Sequence, residues 1–260
     1  MLRHEGLSMD EGPMPPYQAV LFDMFDTLVN FERDRLPLVP LPGTPIRSTS
    51  PFVYEVVKPA CPGLSLETFV QAFIGSYEAA ETIRARDHRE VSAEQRFRIL
   101  FDALHIGDGP RVAALMEAGI AEHMRHLARA MEFPASHRAV LERLRPRYSL
   151  ALISNFDHGP AVERALRFFG VRELFDAVVV SADVLWRKPR PEIFAEALRR
   201  VRLAAADAVF IGDTPEVDVA GAQAVGMDVI WLDHGVKPYP PGLAPPTHTV
   251  SSLEEVLGIL

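Results

Sequence analysis

Ala19-Val20-Leu21-Phe22-Asp23-Met24-Phe25-Asp26-Thr27-Leu28 is the stretch that decides the fold. Four apolar residues in a row suit a short strand buried on both faces, as a central strand of a parallel sheet requires, and the run stops abruptly at a carboxylate. The same pattern returns near the other end of the chain. Ala208-Val209-Phe210-Ile211-Gly212 closes on Asp213, and Asp218 follows five residues later. If the two runs are neighbouring parallel strands, their carboxyl-terminal ends share one edge, which is where open α/β sheets bind ligands. Asp23, Asp213 and Asp218 would then converge. Three like charges brought together raise one another's pKa and repel, so the pattern calls for a divalent cation with a preference for oxygen ligands. Ser154 and Lys188 lie where other apolar stretches give way to polar sequence, and are expected at the same edge.

Outward from these runs the chain alternates strands and helices. Helices are expected over about 136–144, 160–169, 191–201 and 215–225, with strands at 150–153, 177–180 and 229–232 between them and a tail helix over 253–260. Pro191 occupies a first-turn position, where its missing N–H costs nothing. Between the first strand and this series the character changes. Seven prolines from Pro37 to Pro62 break helix and strand alike and predict an irregular connection. Beyond it Leu66, Phe69, Val70, Phe73, Ile74 and Tyr77 recur at helical spacing behind Ser65 as N-cap, and further helical patterns run from Ser92 to Leu104 and from Val112 to Met131. The expected architecture is an α/β fold, a three-layer Rossmann-like parallel sheet, over 17–30 and 133–260, with an all-α cap domain inserted at 31–132. Residues 1–16 read as a flexible tail, and the proline-rich segment from Lys237 to Pro246 as a surface excursion.

With 260 residues, 48% of them hydrophobic and 24% charged, this is an ordinary globular composition. A formal net charge of -8 argues against nucleic acid or an anionic membrane as partner, since phosphate backbones select basic faces. A small anionic substrate held by one lysine or a metal remains compatible. No apolar run reaches signal-peptide or transmembrane length, and the lone Cys61, in a turn with Pro62 and Gly63, fits a reducing compartment, so a cytoplasmic protein, monomer or homodimer, is expected.

Four motifs in order carry a family resemblance. The segment from Leu21 to Leu28, Ser154 in Leu152-Ile153-Ser154-Asn155-Phe156-Asp157, Lys188 in Arg187-Lys188-Pro189-Arg190-Pro191, and Ile211-Gly212-Asp213-Thr214-Pro215-Glu216-Val217-Asp218 resemble the haloacid dehalogenase-like hydrolases. The resemblance implies a phosphatase acting on a small phosphorylated metabolite, with Asp23 as nucleophile forming an aspartyl-phosphate. It also implies that Lys188, Ser154, Thr27 and Asn155 bind the phosphoryl group, with Lys188 catalytic too because it damps the nucleophile's charge, and that Mg²⁺ sits on Asp23, Asp213 and the backbone carbonyl of Phe25, with Asp218 a direct ligand, a water-mediated one or the group that orients Lys188. Each residue type suits its task. A lysine offers compact positive charge, a hydroxyl donates to a phosphoryl oxygen, and carboxylates are hard ligands for Mg²⁺.

One departure stands out. Phosphatases of this superfamily usually carry a second Asp two residues after the nucleophile, which protonates the leaving group and activates water; here that residue is Phe25. Asp26 is one position later, where an extended chain points its side chain the other way. Loss of the second Asp resembles the metal-independent 2-haloacid dehalogenases, whose Asp attacks carbon, but those enzymes do not keep the leading Asp of the fourth motif, represented here by Asp213. A weakly active or non-catalytic binding protein is the remaining alternative. For substrate recognition, Arg33, Arg35, Arg47, His158 and Trp186 are the candidates near the expected cap–core seam.

Overall fold

Because the apolar runs are short and nearly continuous, they pair into a sheet buried on both sides. The computed structural model describes residues 17–40, 44–236 and 238–260, so the tail expected over 1–16 and Lys237 of the proline-rich excursion lie outside the described residues. Six strands, β1 (Ala19–Phe22), β2 (Ser149–Ser154), β3 (Ala177–Val180), β4 (Ala208–Gly212), β5 (Asp228–Leu232) and β6 (His248–Val250), form one parallel sheet in the order β6-β5-β4-β1-β2-β3. Phe22 lies between Leu152 and Ile211 in register. The chain builds outward from β1 through β2 to β3, then returns to the other side of β1 for β4. That reversal makes the crevice beyond β1 and β4 the topological switch point.

Strand alternation divides the core in two. Val20, Phe22, Leu150, Leu152, Val209 and Ile211 face α5 (Ala135–Leu144), α6 (Gly159–Phe168) and the C-terminal 3₁₀ segment Leu253–Gly258. Leu21, Ile153, Phe210 and Val229 face α8 (Pro191–Val201) and α9 (Ala220–Ala224) on the opposite side. A short helix, α7 (Ser181–Val184), follows β3.

Between β1 and α5 lies the helical cap. Its helices are α1 (Ser50–Val57), α2 (Leu66–Asp87), α3 (Ala93–Ala103) and α4 (Pro110–Leu127), packed around Val53, Phe69, Phe97, Leu100, Phe101 and Ile120. Ser92 closes a capping box with Gln95 at the start of α3. The two crossings between cap and core are tied by antiparallel pairing of Asn30 with Glu132 and Phe31 with Met131.

Several sequence expectations need correction. The proline-rich connection contains α1, because Pro51 sits in the helix's first turn, where it removes no hydrogen bond, and the next proline, Pro59, lies beyond its end. It also contains the antiparallel pair Leu38–Val39 with Ile46–Arg47. The helix expected to reach Met131 stops at Leu127, followed by a 3₁₀ turn and the short strand that joins the crossing. The tail is 3₁₀ rather than α, and β6 is an edge strand too short and too exposed for periodicity to register. Where an α-helix was expected from Pro215, the chain first makes a π-helical turn over Pro215–Val219.

Candidate active site

Asp23, the first residue beyond β1, is anchored by its backbone N–H donating to the Ile211 carbonyl of β4 at 2.8 Å. Ser154 ends β2. Asp213 follows β4, and its carbonyl accepts a hydrogen bond from Trp231 Nε1 at 2.8 Å. Asp218 lies on the π-helical turn and folds back to accept from the Thr214 backbone N–H at 3.0 Å. Gly212 makes room for that return, since a Cβ there would stand 2.5 Å from Asp218 Cγ. Such an approach is possible only without a side chain.

The structure brings the three aspartates together. One carboxylate oxygen from each lies within 4.8 Å of the others. Lys188 enters from the loop before α8, ion-paired to Asp23 Oδ1 and 2.7 Å from Asp218 Oδ1. Asp23, Asp218, Ser154, Thr27 and Lys188 are all buried, and Thr27 Oγ1 stands 3.4 Å from Asp23 Oδ2. Ser154 Oγ is sequestered from solvent with no hydrogen-bond partner among the described residues. The Asn155 side chain braces Lys188. Its side-chain amide donates to the Lys188 carbonyl at 3.0 Å and its Oδ1 accepts from the Lys188 N–H at 2.7 Å, so both polar ends hold the lysine's backbone.

Charge in this crevice is unbalanced. Burial, opposed by Lys188 and reinforced by Asp218 and Asp213, raises the Asp23 pKa. Burial and the Asp218 charge push Asp213 up to about 6. Burial works against the Lys188 charge, but Asp218 and Asp23 outweigh it and hold the amine protonated. Three carboxylates facing one ammonium leave a surplus of negative charge that a hard divalent cation would neutralise, and the oxygen-only donor set fits such an ion.

Phe25 lies against Phe156 and Phe31, with ring centroids 5.3 and 6.0 Å away. Asp26 adopts a left-handed backbone at φ 57°, and its carboxylate accepts from the Phe31 N–H at 3.2 Å while its carbonyl contacts His234 Nε2 at 2.7 Å. Its side chain is therefore engaged in the turn that leads into the cap.

Between the helical cap and the strand ends lies a cavity of about 530 Å³ whose walls include Phe25, Asn155, Phe156, Thr49, Arg96 and His123. Of the arginines named from sequence, Arg33 and Arg47 line it, whereas Arg35 turns away to pair with Glu132. His158 caps α6, accepting from the Ala161 N–H at 3.1 Å. Trp186 is taken between Arg89 and Arg190, whose guanidinium carbons lie 5.2 and 4.6 Å from its ring centroid. Sequence reasoning missed Arg84, Arg96 and His123. Arg96 carried a usable signal, being three residues from Ala93 and four from Leu100, on the apolar stripe of α3.

A Rossmann-like sheet with acidic residues at its switch point and a helical cap between the first and second strands defines a broad class of hydrolytic enzymes. The sequence signature of the haloacid dehalogenase-like hydrolases matches residues 17–226, and the chain belongs to that family. The phosphoserine phosphatase of Thermus thermophilus is 32% identical over 164 residues, 62% of this chain and 63% of that enzyme. The glyceraldehyde 3-phosphate phosphatase of Pyrococcus abyssi is 34% identical over 117 residues, 45% of this chain and 48% of that one. The match thus spans less than two thirds of either relative. Among solved structures, a 2-haloacid dehalogenase from Pseudomonas syringae pv. Tomato superposes with a TM-score of 0.71, covering 94% of this chain and 97% of that chain at 22% identity, a likeness of fold. Among the described residues no helix is long and apolar enough to cross a membrane.

Proposed function

We propose that this chain is a magnesium-dependent phosphatase acting on a small phosphorylated metabolite through an aspartyl-phosphate on Asp23. The observation that carries the reading is the convergence of Asp23, Asp213 and Asp218 around Lys188 at the switch point. The core at 17–30 and 133–260 performs the reaction, and the cap at 31–132 covers it.

In this mechanism an Asp23 oxygen attacks phosphorus as the bond to the leaving oxygen breaks, and water then attacks the acyl phosphate to release inorganic phosphate and restore the carboxylate. Lys188 holds Asp23 in its reactive orientation and offsets the negative charge that gathers on the phosphoryl oxygens. The Ser154 hydroxyl, buried without a partner, and the Thr27 hydroxyl donate to those oxygens. Asn155 acts through Lys188 as a positioning residue. Asp23, Asp213, Asp218 and the Phe25 carbonyl would hold Mg²⁺, which supplies positive charge beside the transferring group. Phe25 has no ionisable proton to give, and the Asp26 carboxylate is occupied by the Phe31 N–H, so leaving groups that depart as stable anions are favoured.

A second reading, halide displacement from a 2-haloacid, is favoured by Phe25 alone. It leaves the surplus negative charge of Asp213 and Asp218 beside Asp23 without an offsetting cation. Assays of p-nitrophenyl phosphate hydrolysis and of halide release from a 2-haloacid separate the two. We expect Mg²⁺-dependent phosphate release that is lost in chelator and in Asp23→Ala, without halide release. Halide release in chelator overturns the reading in favour of the dehalogenase, and turnover no higher than Asp23→Ala on any phosphate ester leaves a binding protein.

A further inference from the structure

Arg96 is out of keeping with its surroundings. It projects from the apolar stripe of α3, only 4% exposed, with its guanidinium carbon 5.1 Å from the Phe73 ring centroid and 5.3 Å from that of Phe97. Stacking on two aromatic faces fixes the plane of the guanidinium. Its Nε and Nη2 are sequestered from solvent and have no hydrogen-bond acceptor among the described residues. A buried cation left in that condition destabilises the fold.

Neighbouring groups do not relieve it. Asp157 Oδ2 is 3.9 Å from Arg96 Nε, beyond hydrogen-bond distance, and the same oxygen is 3.9 Å from Arg84 Nη2. Each Arg84 nitrogen already has an acceptor: Nε has Glu90 at 2.8 Å, Nη1 has Glu81 at 2.6 Å and Nη2 has the Val91 carbonyl at 2.8 Å. His123, which burial holds neutral, meets Thr49 Oγ1 at 2.5 Å. Every one of these side chains except Glu90 lines the cavity whose floor is Phe25 and Asn155, the neighbours of the catalytic strand ends.

The two orphaned nitrogens are not arbitrary. Nε–H and the adjacent Nη2–H form one edge of the guanidinium, two parallel donors that match the two oxygens of a carboxylate once the side chains that shut this edge from solvent shift rotamer to admit it. We propose, resting on the phosphatase reading above, that the substrate is a small phosphorylated carboxylic acid and that Arg96 determines this specificity by binding the carboxylate at the end remote from phosphorus. The cap thus reads one anionic group and the core the other. Thr49, paired with neutral His123, supplies a polar wall beside the fork.

The test is direct binding, independent of turnover. Phosphonoacetate, phosphonopropionate and phosphonobutyrate are titrated calorimetrically into the protein in Mg²⁺, each beside the alkylphosphonate of the same length. At the chain length that spans the cavity, the carboxylate should tighten binding about 10- to 100-fold, as a charge-assisted bidentate contact does. Arg96→Met should bring the ratio of the paired Kd values to within about twofold of one, and Arg96→Lys, which keeps charge without the fork, should lower it part-way. Near-UV circular dichroism verifies that both variants are folded. Alkylphosphonates that bind as tightly as their carboxylated partners at every length overturn the Arg96 assignment and leave the phosphoryl site standing. So does a carboxylate preference that survives Arg96→Met, or a bisphosphonate that outbinds the carboxylate of equal length. Failure of every phosphonate to bind in Mg²⁺ overturns the phosphatase reading and this inference with it.

Discussion

Asp213→Asn isolates the electrostatic cost of the acidic crevice. In the folded chain the Asp213 pKa stands at about 6, against an ordinary 3.8, because burial and Asp218 disfavour its charge. A carboxyl raised in this way binds its proton more tightly folded than unfolded. Its contribution to stability is therefore fully present below the unfolded pKa and is lost as pH rises through the folded pKa. Between about pH 4.5 and about pH 8 the two titration curves differ by an integrated ~1.4 proton–pH units, or about 2 kcal/mol in metal-free buffer. Other groups titrate over the same interval, so the informative quantity is the difference between native protein and Asp213→Asn. Urea unfolding in chelator at both pH values should show the native protein losing about 2 kcal/mol more than the variant on going from acid to alkaline pH. Mg²⁺ at a hundred times its Kd should then return about 2.7 kcal/mol to the native protein at the higher pH and little to the variant. Equal pH dependence in the two proteins would refute the argument from burial. Equal stabilisation by Mg²⁺ would remove Asp213 from the ligand set.

Two further outcomes follow from the geometry. With general acid catalysis worth about 10²- to 10⁴-fold, mostly on poor leaving groups, native turnover should fall steeply from aryl to alkyl phosphates, and Phe25→Asp should flatten that dependence in a leaving-group series; an already flat native series points to a hidden acid, with Asp157, raised by burial and facing the cavity, the first to substitute. Gly212→Ala places a methyl 2.5 Å from Asp218 Cγ, so displacement of that carboxylate should weaken Mg²⁺ affinity at least about tenfold by titration, more than its effect on unfolding predicts, whereas unchanged affinity would separate Asp218 from the ion.

Much of this protein was written in the order of its residues. The apolar runs ending on Asp23 and Asp213 specified parallel strands with acidic ends, because a strand buried on both faces must be continuously apolar and a carboxylate can only stand beyond it. Helical spacing in 66–77 and 92–104 likewise declared the cap, since an amphipathic stripe is a local property of the chain. Tertiary structure decided the rest. Whether Pro51 breaks a helix or begins one depends on the hydrogen bonds around it, and the packing of α1 against α4 resolved that question. The return of Asp218 over Gly212 requires a π-helical turn that no periodicity announces. That the Asn155 side chain braces Lys188 was hidden because the partner backbone lies 33 residues away in sequence. The place of Arg96 on the apolar stripe of α3 was legible in the sequence, but only when α2, α4 and the strand ends close around it does its guanidinium lose water without gaining an acceptor. Burial and unmet hydrogen bonding are sums over residues distant in the chain, and only the folded arrangement evaluates them.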